Sequence, residues 1–124
     1  MILGSLFPID LMDEDAGVVA KMEALDRDQL TVPTIVYTEL GTGLDAGSSW
    51  AEAFEAMVAD VTLALYDAEA PRHAVSIQRQ LSEQGRPVGA VDAMIAGTAL
   101  ASDEAILTRN VAEFSRTPAQ VSPY

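Results

Sequence analysis

The segment over residues 85–101, GRPVGAVDAMIAGTALA, constrains the fold of this chain more than any other. Asp92 is its only charge apart from Arg86 near its start. Its apolar and small residues predict a buried helix over 90–101, where a carboxylate is costly to desolvate without a partner. The sequence therefore predicts that Asp92 lies in a site that supplies a metal ion or hydrogen-bond donors.

Glu39 is a second isolated acid and the only charge over residues 29–44, QLTVPTIVYTELGTGL. Helical spacing predicts that each acid shares a face with apolar or small side chains. These neighbours are Val36, Leu40 and Gly43 for Glu39, and Ile95, Ala96 and Ala99 for Asp92. Both acids are therefore expected on or beside a core-facing stripe. They suggest a shared site, because close acids repel each other unless a cation lies between them.

Each acid also has a simpler interpretation. Asp92 falls in the first turn of its predicted helix, where free N–H groups and the helix dipole stabilise a negative charge. Glu39 is compatible with an ordinary acid on a helix surface. Taken singly, neither residue decides between these alternatives and a metal site.

Short apolar strands alternate with helices along the chain. Strands are predicted near residues 1–3, 30–32, 61–65, 105–107 and 120–121. Helices are predicted over 8–29, 34–43, 69–84 and 90–101, and from 48 or 49 through Met57, with Thr34 as an N-cap. The alternation predicts a parallel sheet covered on both faces, with the carboxyl ends of its strands, where ligands bind, at one edge. The length of 124 residues fits a single domain over 1–124.

The composition limits which ligands such a site can use. The chain has no cysteine and one histidine, His73, which excludes thiolate sites and a multi-histidine zinc site. Carboxylates remain, and Mg²⁺ is typically held by one or two of them plus waters. A divalent ion bound in this way can polarise a phosphate and acidify an attacking water.

The net charge of −12 has two interpretations. A chain this acidic repels nucleic acid at ordinary salt. An acidic surface with a single lysine, Lys21, is also one solution to solubility in concentrated salt, and we favour a halophilic source.

Two features predict a cytoplasmic protein. No apolar run approaches the roughly 18 residues of a membrane span. The first ten residues, MILGSLFPID, lack the basic region of a signal peptide. We therefore expect no membrane partner.

Three segments carry a resemblance to a known family. The 85–101 segment is similar to the stretch of PIN-domain proteins of the VapC toxin type in which a glycine-containing turn leads to an aspartate and then Ile-Ala. VPTIVYTEL, over 32–40, resembles the family's strand-to-helix segment with its glutamate, and TRNVAEF, over 108–114, resembles its last strand-end motif. The matches follow the family's order over nearly the full length. The resemblance implies a three-layer α/β/α fold with a short, mostly parallel central sheet.

The resemblance also implies Mg²⁺- or Mn²⁺-dependent cleavage of single-stranded RNA, a VapB-like antitoxin that blocks the site, and a homodimer. It places the catalytic positions at Glu39, Asp92 and Asn110, with Asp92 and Glu39 as metal ligands. The supporting positions are Ser5, Thr108 and Glu113, and the candidate phosphate contacts that border the site are Arg86 and Arg109. Ion pairs between these two arginines and nearby acids are an equal alternative.

Gly4 departs from the family pattern. Relatives carry an aspartate after the first strand, in patterns such as M-I-L-D-[ST], where this chain has Gly4 before Ser5. Glycine offers a metal only its carbonyl oxygen, so the loss of a hard ligand should weaken metal binding and water activation. We therefore expect an impaired nuclease. The alternative is a catalytically inactive PIN-fold binding module that retains antitoxin or RNA binding. A phosphotransfer enzyme is disfavoured, because the chain lacks a glycine-rich phosphate loop.

Two further features leave alternatives open. Asp10 follows the first strand by one short helix, and a solvated helix-start acid is favoured over a contact with the site. Trp50, Phe54 and Met57 form a stripe at helical spacing, which indicates core or interface packing rather than a base-stacking platform.

Overall fold

The fold is built on one sheet of five short strands, and every neighbouring pair of strands is parallel. The computed structural model describes all 124 residues apart from the side chain of Arg27. The strands are β1 (Ile2–Leu3), β2 (Thr31–Pro33), β3 (Thr62–Ala64), β4 (Ile106–Thr108) and β5 (Val121–Pro123). Their order across the sheet is β3-β2-β1-β4-β5.

Helices connect the strands and flank the sheet. They are α1 (Leu6–Met12), α2 (Ala16–Ala24), α3 (Thr34–Gly43), α4 (Ser49–Ala59), α5 (Glu69–Glu83), α6 (Ala90–Ser102) and α7 (Val111–Phe114), with a 3₁₀ turn over Arg27–Gln29. The predicted three-layer α/β/α architecture is confirmed. Among the described residues, no helix is long and apolar enough to cross a membrane.

The central strand β1 and its neighbour β4 explain the uninterrupted apolar runs near residues 2 and 106. Their residues pair in register, Ile2 with Ile106 and Leu3 with Leu107. All four side chains are at most 1% exposed. Strands of a parallel sheet that is covered on both faces are buried on both sides, so they carry consecutive rather than alternating apolar residues.

α6 packs closely against α5 through Gly97. A Cβ atom at Gly97 would lie 2.5 Å from the carbonyl oxygen of Ala70 and 2.9 Å from the amide nitrogen of Ala74. Both distances are shorter than van der Waals contact, so the absence of a side chain allows this approach. The small residues of the 85–101 segment therefore serve helix packing, and this packing fixes the position of the helix that carries Asp92.

The prediction of one helix over 8–29 is wrong, because the region forms α1, α2 and the 3₁₀ turn. Asp15 caps α2 by accepting hydrogen bonds from the N–H groups of Gly17 and Val18, at 2.9 and 3.2 Å. Glu14, between the two helices, has a left-handed backbone with φ of 56°. A cap of this kind ends one helix and begins another, and the spacing of apolar residues alone does not reveal it.

The prediction of Thr34 as an N-cap is also wrong. α3 begins at Thr34 itself, and Pro33 occupies the cap position. The Thr34 hydroxyl instead accepts the N–H of Tyr66 at 3.3 Å, which ties the chain after β3 to the start of α3. The predicted cap of α4 is confirmed, since the Ser48 hydroxyl accepts the N–H of Ala51 at 3.1 Å.

The apolar stripe on α4 divides between core and surface. Phe54 is buried, and Met57 packs against the core while partly exposed. Trp50, one turn earlier, is 44% exposed. The predicted core packing is therefore confirmed for Phe54 and Met57.

Candidate active site

The site residues follow the carboxyl ends of neighbouring strands. Gly4 comes directly after β1, the helix that carries Glu39 begins directly after β2, and Asn110 lies two residues beyond β4. Because the strands are parallel, these ends lie at the same edge of the sheet, which is where α/β proteins bind ligands. Asp92 lies in the first turn of α6.

Asp92 and Glu113 form a hydrogen-bonded carboxylate pair. Asp92 is half-buried. Its pKa is raised to about 7, first by burial, then by the hydrogen bond and charge of Glu113, and last by the charge of Glu39. The same hydrogen bond lowers the pKa of Glu113. Below about pH 7 and without a bound metal, Asp92 is therefore the protonated member of the pair and Glu113 the charged one.

Glu113 is oriented by two further donors. Its Oε1 accepts the N–H of Gly89 at 3.2 Å, and its Oε2 accepts a hydrogen bond from Nδ2 of Asn110 at 3.0 Å. Both bonds help to keep the pKa of Glu113 low, as does the positive charge of Arg116. Gly89 directly precedes α6 and Asn110 directly precedes α7, so Glu113 joins the two segments that carry Asp92 and Asn110.

Thr108 lies between Gly4 and Asn110. Its buried hydroxyl accepts the backbone N–H of Asn110 at 3.0 Å, which fixes the turn after β4. A Cβ atom at Gly4 would lie 3.3 Å from Cβ and Oγ1 of Thr108 and from the carbonyl oxygen of Leu107. A side chain at position 4 would therefore begin at the same edge of the sheet as Asn110.

Glu39 does not lie on the core-facing stripe that its spacing predicts. Val36 and Leu40 of α3 are buried, whereas Glu39 and Gly43 are exposed. A residue three positions along a helix is rotated by about 60° from its partner, enough for one to be buried and the other to reach solvent. The charge of Glu39 nevertheless raises the pKa of Asp92, so the two acids interact electrostatically.

Ser5 and Arg86 lie outside the hydrogen-bonded part of the site. Ser5 is half-buried before α1, and its hydroxyl does not cap that helix. Arg86 is exposed in the loop between α5 and α6. Within the described part of the chain, neither side chain is hydrogen-bonded to the carboxylate pair.

Asp10 is buried and ion-paired, so the prediction of a solvated acid is wrong. It is 8% exposed, and its Oδ2 accepts hydrogen bonds from Nε of Arg109 and from the Tyr124 hydroxyl, both at 2.7 Å. Nη2 of Arg109 donates to Oδ1 at 3.3 Å. The predicted ion pair between Arg109 and a nearby acid is therefore present. The three residues are far apart in sequence, and no local pattern predicts their contact.

The oxygen donors around Asp92 are of the type that Mg²⁺ and Mn²⁺ bind. They comprise the Asp92 and Glu113 carboxylates and the amide oxygen of Asn110, with Glu39 nearby. No three acidic or histidine side chains approach closely enough to enclose an ion by themselves, among the residues that the structure describes. Magnesium sites commonly use one or two carboxylates and complete their coordination with water, so the donor set fits.

Comparison with known proteins identifies the family. The model of the PIN domain matches residues 6–120. The chain belongs to the PIN domain family. This PIN domain is 44% identical over 62 residues to the tRNA(fMet)-specific endonuclease VapC of Shigella flexneri, a match that covers 50% of the chain and 47% of that protein. VapC of Salmonella typhimurium is 42% identical over 53 residues, which cover 43% of the chain and 40% of that protein. The chain thus spans about half the length of the curated relatives it matches.

Solved structures match this PIN domain over almost its whole length. VapBC-1 from nontypeable Haemophilus influenzae is 28% identical with a TM-score of 0.83, covering 98% of the chain and 96% of that one. VapBC2 from Rickettsia felis, solved with a promoter DNA fragment, is 20% identical with a TM-score of 0.83, covering 99% and 97%. At 20% identity, the similarity to the Rickettsia felis structure shows the fold alone.

The pair of acids predicts how the stability of this PIN domain depends on pH. In EDTA, the free energy of unfolding should fall as pH rises from about 4 to 7, because the folded state retains the Asp92 proton that the unfolded chain has already lost. The lowered pKa of Glu113 has the opposite effect on the free energy of unfolding. This effect changes with pH only below the ordinary pKa of 4.5, which is lower than most of the range from pH 4 to 7. Since Asp92 is half-exposed and screened by solvent, we expect Asp92→Asn to stabilise the domain by about 1–2 kcal/mol at pH 8.

Urea denaturation at a series of pH values measures this effect. Asp45→Asn, which removes an acid from an exposed loop, is the control and should keep the slope of the parent. If Asp92→Asn and Asp45→Asn show the same pH dependence, Asp92 does not carry the raised pKa.

Proposed function

We propose that this PIN domain is the toxin of a VapBC-type pair, a divalent-metal-dependent endoribonuclease that acts on single-stranded RNA in the cytoplasm and is impaired at Gly4. The carboxylate pair of Asp92 and Glu113, oriented by Asn110 at the carboxyl edge of the sheet, is the observation that carries the proposal. The similarity to VapC endonucleases supports the choice of RNA as substrate.

The proposed roles are those that the resemblance to VapC-type PIN domains implies. Asp92 and Glu39 are the proposed metal ligands, Asn110 completes the catalytic set, and Glu113, Thr108 and Ser5 support it. Mg²⁺ or Mn²⁺ bound by these oxygens would polarise a phosphate and acidify a water. Asp92 must release the proton that it shares with Glu113 before it can act as a ligand. The hydrogen bonds with Asp92, Gly89 and Asn110 lower the pKa of Glu113.

Gly4 is the reason for proposing impaired activity. The position faces Thr108 at the edge of the sheet, where the family resemblance leads us to expect an aspartate, and glycine contributes no carboxylate. This also favours a second candidate function, a non-catalytic module that keeps the fold and its binding surfaces. The two functions differ in whether a carboxylate restored at position 4 brings cleavage.

An apolar groove supports the proposed antitoxin partner. A cavity of about 770 Å³ opens between α1, α2 and α4. Its apolar lining includes Phe7, Leu11, Val19, Met22, Met57 and Val61, and the acids Glu23, Asp26 and Asp60 also line it. An apolar segment with flanking basic residues is the complement of such a surface, and we propose that a VapB-like antitoxin supplies it. A homodimer, which the family resemblance implies, also belongs to the proposal.

Cleavage of labelled single-stranded RNA in Mn²⁺ tests the proposed function. The Gly4→Asp chain should cleave, EDTA should stop it, and Gly4→Asp/Asp92→Asn should lose the activity. If Gly4→Asp is folded and inactive in Mn²⁺ and in Mg²⁺, the nuclease proposal is wrong and the binding module is favoured.

A further inference from the structure

A second charged cluster, formed by Asp10, Arg109 and Tyr124, lies next to the turn that carries Asn110. Arg109 is the residue between Thr108 and Asn110, so its backbone belongs to the proposed centre. Its guanidinium leaves that turn and binds the carboxylate of Asp10 on α1 through two N–H groups, at 2.7 and 3.3 Å. The Tyr124 hydroxyl donates to the same carboxylate at 2.7 Å. One buried acid thus ties together α1, the end of β4 and the residue after β5.

The cluster is anchored in the core on its other side. The rings of Tyr124 and Phe7 meet edge to face, with centroids 5.2 Å apart and planes at 87°. Phe7 is fully buried on α1, three residues before Asp10. The Asp10 carboxylate therefore has a fixed position, and a bidentate contact with it fixes the plane of the guanidinium as well.

Arg109 remains half in solvent in spite of this pairing. Its side chain is 53% exposed, against 11% for that of Asp10. Two of its N–H groups donate to Asp10. The remaining N–H groups of the planar guanidinium are donors that suit a phosphate. The hydrogen bond and charge of Asp10 raise the pKa of Arg109, so the guanidinium stays charged.

We propose that Arg109 binds a backbone phosphate of the RNA and that Asp10 and Tyr124 are positioning residues that hold its guanidinium toward the substrate. The inference rests on the proposed function. In a chain with a net charge of −12, a phosphate that approaches the acids of the site needs a cation at a defined place. A free arginine on a turn would sample many rotamers, whereas this one has lost most of that freedom before RNA arrives.

The alternative role for Asp10 is to neutralise Arg109, and the two roles predict opposite results. If Asp10 only neutralises, Asp10→Asn frees a positive charge and RNA binds more tightly. If Asp10 positions the guanidinium, the same substitution weakens binding although it removes a negative charge. Tyr124→Phe keeps the ring against Phe7 and removes only the hydroxyl. It therefore tests whether the hydrogen bond to Asp10 helps to position Arg109, with little risk to folding.

Fluorescence anisotropy of a labelled single-stranded oligoribonucleotide in Ca²⁺, over a series of KCl concentrations, tests the proposal. Arg109→Gln should weaken binding about 10-fold and reduce the slope of log K against log salt by about 0.7, the value for one phosphate on a single strand. Asp10→Asn should weaken binding and reduce the slope similarly, and the double substitution should add little. Tyr124→Phe should have a smaller effect in the same direction, and thermal denaturation checks that each variant is folded.

Arg72→Gln is the matched control for charge. Arg72 is exposed on α5 near Ala70 and Ala74, which contact α6 at Gly97 rather than at Asp92. It should leave the salt slope unchanged. Tighter or unchanged binding by Asp10→Asn overturns the positioning role, and an unchanged slope in Arg109→Gln overturns the phosphate contact. If neither the parent nor Gly4→Asp binds RNA at any salt concentration, the proposed function fails and this assignment fails with it.

Discussion

Replacement of Gly4 by aspartate should raise Mn²⁺-dependent RNA cleavage by about 100-fold or more, because a bound divalent ion contributes several kcal/mol of transition-state stabilisation and the added carboxylate helps to hold it in place. Position 4 directly follows β1 and faces Thr108, at the same edge as Asn110. A carboxylate there adds a hard oxygen ligand to the set that includes Asp92. Single-turnover cleavage of labelled single-stranded RNA at saturating Mn²⁺ measures the gain.

The new side chain has little room. The controls must therefore distinguish the steric effect of a Cβ atom at position 4 from the effect of a carboxylate. The Cβ atom would lie 3.3 Å from three neighbouring atoms, so Thr108 or the backbone of Leu107 must move by a few tenths of an ångström. Gly4→Ala introduces the same Cβ without a carboxylate, and Gly4→Asn introduces a neutral side chain of the same shape. Neither should gain activity comparable to Gly4→Asp. An equal gain in Gly4→Ala would show that rigidity at position 4, rather than a ligand, limits the reaction.

Gly97→Ala should destabilise the domain by about 3 kcal/mol, at the upper end of the range for an overpacked core. The added methyl group would lie 2.5 Å from the Ala70 carbonyl oxygen and 2.9 Å from the Ala74 nitrogen. Both neighbours are backbone atoms of α5, so they can yield only if the two helices separate. Urea denaturation at fixed pH measures the loss, which should appear as a lower midpoint.

Gly43→Ala is the control for helix propensity. Gly43 lies at the end of α3, is exposed, and a Cβ atom there would have no heavy atom within 4 Å. The substitution should be neutral or stabilise the domain by up to about 1 kcal/mol. If Gly97→Ala proves as stable as Gly43→Ala, α5 and α6 leave room for a side chain at position 97 and their packing there is not close.

The sequence predicts the architecture well because the signals for it are local. Met1, Ile2 and Leu3 form a consecutive apolar run, which is typical of a strand buried on both faces, and the 85–101 segment has the composition of a buried helix. The break between α1 and α2 escapes such reasoning. It depends on the Asp15 carboxylate accepting two N–H groups, which the spacing of apolar residues does not reveal.

The site is only partly predictable, because its contacts join residues that are distant in sequence. Glu113 is predicted as a supporting residue, and the hydrogen bonds with Asp92 and Asn110 place it at the centre of the cluster. Burial of Asp10 depends on Arg109 and Tyr124, which lie 99 and 114 residues away. The exposure of Glu39 depends on how α3 is rotated against the sheet, and spacing within the helix does not determine that rotation.

Titration of Mn²⁺, followed by the electron paramagnetic resonance signal of the free ion, shows whether the cluster around Asp92 binds one divalent cation. The titration is done in concentrated KCl, which screens binding to the acidic surface. We expect one Mn²⁺ bound by the parent chain, tighter binding by Gly4→Asp, and loss of the site in Asp92→Asn but not in Asp45→Asn. Equal binding of Mn²⁺ with and without the Asp92 carboxylate would contradict this expectation.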